Sequence, residues 1–94
     1  MSRPVTEGDV AEAWLEVARQ RRLAGVAAHE ALARRWLAAA HAGDPLHPRA
    51  QGMAAAAEFH EARADQLAER ALGAARLAAE LEARFEAGRV GRCA

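Results

Sequence analysis

The fold class this sequence predicts is all-α, a long antiparallel two-helix hairpin completed into a four-helix bundle by dimerisation, and three observations carry it. First, hydrophobic residues make up 52% of the 94-residue chain, and 28 of them are Ala, which together with Leu, Glu and Arg gives a composition of strong helix formers. Second, Ile and Tyr are absent, so most of the residues that favour strands are missing. Third, the segment Gly43-Asp44-Pro45-Leu46-His47-Pro48 is the one concentrated break, close to the middle of the chain. The length allows a single domain.

The first helix is expected to begin at Glu7. Thr6 is placed to cap it, Asp9 sits at the third helical position to complete a capping box, and Val5 and Val10 are spaced as a hydrophobic staple. Beyond Gly8 in its first turn it should run to about residue 42, interrupted in composition only by Gly25. Gly43 is suited to a helix C-terminus, and residues 43–47 form the turn. Pro48 is suited to open the second helix because its missing N–H is not needed there. That helix should continue to about Ala87, where Gly88 ends it and leaves a flexible tail over 88–94.

Placed at 100° per residue, the first helix collects Val10, Trp14, Val17, Ala18, Gly25, Ala28, His29, Leu32, Trp36 and Ala39 on one face. The second collects Met53, Ala56, His60, Arg63, Leu67, Ala71, Ala74, Ala78, Leu81 and Phe85. Leu15, Leu23, Val26 and Leu37, with Phe59, Leu72 and Leu77, fall outside these stripes. Only 21 apolar side chains are larger than Ala, and they are spread around more than one face. Two helices packed on each other cannot cover both sets, so a partner surface is expected, supplied by a second copy or by another helical protein. The residues expected to carry helix–helix interfaces are Val10, Trp14, Leu15, Leu32, Trp36, Leu67, Leu77, Leu81 and Phe85.

Charge narrows the function. Thirteen Arg balance ten Glu and three Asp, there is no Lys, and no domain-wide basic field exists to bind nucleic acid. No apolar run approaches a membrane span and the N-terminus lacks a signal segment, so a cytoplasmic protein is expected. Nucleophilic catalysis has little to draw on: the hydroxyls are Ser2 and Thr6, and the one thiol is Cys93 beside the last residue. The expected function is therefore a non-enzymatic interaction or assembly module that needs no cofactor.

One constellation points elsewhere. A turn centred near residue 45 sets His29 opposite His60 on the two inner stripes, with Glu30 and Glu61 beside them. Neutral imidazoles with carboxylates nearby suit zinc or a comparable transition metal, and a dimer would bring two such pairs together. A small-molecule cleft lined by Trp14, Trp36 and Phe59 belongs to the same alternative. The Glu-x-x-His step of ferritin-like dimetal bundles is absent.

Three helical families share short patterns with the chain. Leu46 to Gln51 resembles the helical chorismate mutases at its helix-opening Arg49, yet Ala50 follows it and the chain has no Lys. The single hairpin is similar to the small secreted hairpin substrates of actinobacterial-type systems, without their Trp-x-Gly turn, since Leu37 and Ala38 follow Trp36. Ala31 to Trp36 leading into Gly43 resembles a stretch of the helical antibiotic-binding domains over about fifteen residues.

Overall fold

In the computed structural model, which describes residues 3–43 and 50–93, without the side chains of 50, 51, 92 and 93, the chain forms two helices: α1, Glu7–Ala40, and α2, Ala50–Cys93. They pack along their length as a hairpin, and no strand is present among the described residues. The molecule is a slab two helices wide, 74 × 20 × 14 Å. Its radius of gyration, 20.9 Å, far exceeds the roughly 12 Å of a compact chain of this length.

The start of α1 forms as the sequence requires. The Thr6 hydroxyl accepts from the Asp9 N–H at 3.1 Å, and the Thr6 N–H donates to Asp9 Oδ2 at 2.9 Å. Two N–H groups that the first turn would leave unpaired are satisfied in this way. Arg3 adds a bond from Nη2 to Asp9 Oδ1 at 2.7 Å. Val5 and Val10 are both half-buried at the staple positions. At the other end the cap is His41, whose N–H reaches back to the carbonyls of Leu37 and Ala39. Gly43 follows with φ of 80°, the left-handed backbone that glycine adopts without steric cost. The rest of the expected turn, including Pro48, lies outside the described residues.

The end of α2 departs from expectation. Gly88 does not stop it, and the helix continues through Gly88 and Gly91 to Cys93. No proline follows to enforce a stop, and a single glycine costs only about 1 kcal/mol against the good helix formers around it. Arg89 also bonds Glu86 one turn back at 2.7 Å across this point.

The packing seam differs from the stripe expected on α1. Its buried positions are 17, 27 and 31, and the half-buried 10, 13, 20 and 24 join them in alternating steps of three and four. Position 38 lies one heptad beyond 31, and the half-buried 9, 14, 16 and 30 flank this line. On α2 the buried 57, 67, 71 and 78 are joined by the half-buried 53, 60, 64, 74, 81 and 85 with the same alternation, and the half-buried 56, 61 and 75 flank it. This is the 3.5-residue period of helices that stay in contact over many turns. A 3.6-residue projection drifts about 20° per heptad from it. On α1 the drift moves the expected face one residue on, to Ala28, Leu32 and Trp36, which are in fact exposed, whereas Ala27 and Ala31 are buried. On α2 most expected positions are on the seam, with Ala57 and Ala64 in place of Ala56 and Arg63 as its steps.

The enclosed interior is therefore small. Among the described residues Val17, at 1% exposure, is the one large side chain that is fully enclosed, Leu67 is buried with it, and the other buried residues are Ala27, Ala31, Ala57, Ala71 and Ala78.

Candidate interaction surface

Across the two helices the side chains of Arg35 and Glu61 meet through two parallel bonds, Nε to Oε1 at 2.9 Å and Nη2 to Oε2 at 2.8 Å, and so mark their register. Glu61 therefore titrates below its ordinary range, and Arg35 above its own, each because of the hydrogen bonds to the other. This pair corrects the expected alignment. It brings the helix-2 segment around His60 level with Arg35, six residues beyond His29, so the two histidines are not opposite one another. The expectation assumed a shorter connection between the helices.

The separate placements agree. His29 is exposed, with Ala27 and Ala31 taking the enclosed positions. His60 is half-buried, with its ring edge-on to Phe59 at 5.5 Å between centroids. Among the described residues, no three His, Cys, Asp or Glu come together in a way that would hold a metal ion. Trp36 and Phe59 are exposed, Trp14 is half-buried, and none of the three lines the clefts described next.

The slab has two broad faces. One contains Arg35 and Glu61 and two shallow grooves. The groove between Ala28, Leu32, Ala64 and Asp65 lies next to the ion pair, and a second lies between Arg21, Ala24, Ala68, Leu72 and Ala75. The opposite face opens at the far end into a cleft where Asp9 and Glu12 of α1 lie beside Arg84 of α2. There Asp9 titrates below the usual carboxylate range, because it accepts the Thr6 backbone N–H and the Arg3 guanidinium.

Both faces carry exposed apolar side chains. Leu15, Leu23, Val26 and Leu37 of α1, and Phe59, Leu72 and Leu77 of α2, expected to need a partner, are all exposed, by 47 to 65%. Leu32 and Trp36 join them, at 57% and 73%. Of the other residues expected at interfaces, Val10, Trp14, Leu81 and Phe85 are half-buried and Leu67 is enclosed within the hairpin. Val90 is a further exposed apolar residue that the expected flexible tail had hidden.

No family model matches this chain. Neither a curated protein nor a solved structure matches it. The surface must therefore be read from its own chemistry. Among the described residues no helix is long and apolar enough to cross a membrane. The accessible surface is 7213 Å², against about 5,200 Å² for a compact folded monomer of this mass. The excess reflects an extended chain that leaves both broad faces in water.

One polar group inside the seam has no partner. Gln20 donates from Nε2 to Glu16 at 2.8 Å, while its Oε1 is enclosed without a hydrogen bond. Sequence reading did not single out Gln20, because the drifted stripe passed beside it; stepping by three and four from Val17 reaches it directly.

Proposed function

We propose that this chain is a helical interaction module without catalytic chemistry of its own, which acts by packing helix against helix and completes a four-helix bundle as a homodimer. The observation that supports this most is the division of its apolar side chains. Among the described residues the seam encloses Val17, Leu67 and alanines, while ten large apolar residues remain on the outside. A folded chain that invests its bulkiest side chains in its outer faces gains most of its hydrophobic stabilisation only when those faces are covered. Thr6, one of only two hydroxyl residues in the chain, is committed to the helix cap, which leaves it no free nucleophilic role.

The test is thermal melting across a hundredfold range of protein concentration. A homodimer whose subunits fold on association melts at higher temperature as concentration rises. A melting temperature independent of concentration, together with a monomeric sedimentation coefficient, contradicts the proposal. Melting that becomes concentration-dependent only when a second, helical protein is added would assign the outer faces to that partner.

A further inference from the structure

Of the two faces, the one opposite the Arg35–Glu61 pair is the more apolar. By helical position it carries Leu23, Val26 and Leu37 from α1 with Phe59 and Leu77 from α2, all exposed, whereas the other face carries exposed Leu32 and Leu72 and the half-buried Trp14, which shares the helical position of Arg21, Ala28 and Arg35. Its two edges also differ in charge. Along α1 lie Glu12, Glu16 and Glu30; along α2 lie Arg63, Arg70 and Arg84. Arg19 and Glu80 are the charges of opposite sign there; Arg19 is paired with Glu16 and Arg34 with Glu30, so the acidic character of the α1 edge is carried chiefly by Glu12 and the basic character of the α2 edge by all three arginines.

We propose that this face docks on the same face of a second copy, with the two hairpins parallel, their turns at the same end, and α1 of each lying on α2 of the other. The proposal rests on the homodimer reading above and specifies its geometry. A face with one acidic and one basic edge is complementary to itself only under a two-fold axis parallel to the hairpin. An axis across the hairpin would set α1 on α1 and α2 on α2, acid against acid and Arg against Arg.

The register supports the same axis. Counting outward from Arg35 and Glu61, Leu37 is level with Phe59, Leu23 with Gly73, and Glu12 with Arg84. The parallel axis carries each of these residues onto the level partner in the second copy. Leu37 then meets Phe59, Glu12 meets Arg84, and Leu23 is aimed at Gly73. That last pairing accounts for a residue the hairpin itself does not explain. A Cβ added at Gly73 would meet nothing within 4 Å, as at Gly25, Gly52 and Gly91, so the hairpin gains no close approach from a glycine that costs its helix about 1 kcal/mol relative to Ala. A leucine from a second copy seated there uses the missing Cβ. A face 74 Å long and 20 Å wide is large enough for the roughly 800 Å² per partner that a stable dimer needs.

The experiment places one spin label at the turn end, through Ala42→Cys in a Cys93→Ser background, and measures the distance between labels in the full-length dimer. Parallel hairpins put the labels roughly 15–30 Å apart, given helix spacings of about 8–10 Å plus the label arms. A dimer with its labels separated by most of the 74 Å length overturns the parallel arrangement while leaving the homodimer in place. A monomer at every concentration overturns both. Two variants test the face itself. Leu23→Glu is expected to weaken dimerisation by at least tenfold, and Leu72→Glu, on the other face, to leave it within about twofold. The reverse ranking would assign the interface to the grooved face.

Discussion

Replacing Ala31 with Leu should destabilise this protein more than removing most of Leu32, although Leu32 is the larger apolar residue. Ala31 is 5% exposed on the α1 seam and Leu32 is 57% exposed on an outer face. Ala31→Leu forces three further carbons into a closed contact between helices, which costs about 1–3 kcal/mol. Leu32→Ala removes a side chain that is already more than half in water. With full burial of a leucine worth about 1.5–3 kcal/mol, the loss should be about 1 kcal/mol or less. A leucine enclosed in a core would instead cost about 2–5 kcal/mol on truncation. For a domain of this size 1 kcal/mol moves the melting temperature by about 4–8 °C, so the two outcomes are easily separated. The assay is far-UV circular dichroism of both variants at one fixed protein concentration, since association shifts the midpoint. If Leu32→Ala melted below Ala31→Leu, α1 would be rotated by about one residue from the seam described, and the reasoning from the 3.5-residue period would fail.

Further outcomes follow from single residues. Thr6→Ala removes the acceptor for the Asp9 N–H and should cost about 1 kcal/mol, with faster hydrogen exchange confined to the first turn of α1. Gln20→Leu replaces a seam residue with an unpaired, enclosed oxygen by an apolar one of similar size, and should raise stability by about 1 kcal/mol in denaturant titration; a fall would show that the oxygen is satisfied in solution. Asp9 and Glu61 titrate below their ordinary values of 3.8 and 4.5, so the stability they contribute is present above those values and is lost as pH falls through the lowered folded ones. The melting temperature should therefore hold steady down to about pH 5 and decline below it, with a shallower decline in Glu61→Gln, and an equal slope in that variant would remove the Arg35–Glu61 pair from the account.

Local signals in this sequence were the most legible. The capping box at Thr6 and Asp9 and the left-handed Gly43 each depend on a few adjacent residues, and both form as the residue types require. The inner face of α2 was also readable, because Leu67, Leu81 and Phe85 anchor it and limit the drift of any assumed period. On α1 the seam beyond Val17 consists mainly of alanines, which occur on every side of the helix, so nothing in the residue types distinguished Ala27 and Ala31 from Ala28. The pairing of His29 with His60 failed for a different reason. Alignment in a hairpin is set by the length of the connection, and an error of a few residues there displaces every facing pair by the same amount. Arg35 and Glu61 show the true alignment, but an Arg and a Glu twenty-six residues apart are unremarkable among thirteen Arg and ten Glu. Gly88 was misread because a lone glycine is a weak stop without a following proline.

The central claim is that the hairpin does not complete its own core and that a second copy covers what it leaves exposed. Static light scattering of the purified chain at micromolar concentration tests it most directly. A mass twice the 10.0 kDa of the chain is the predicted result. A single-chain mass at every concentration, with the helices fully formed, would contradict it.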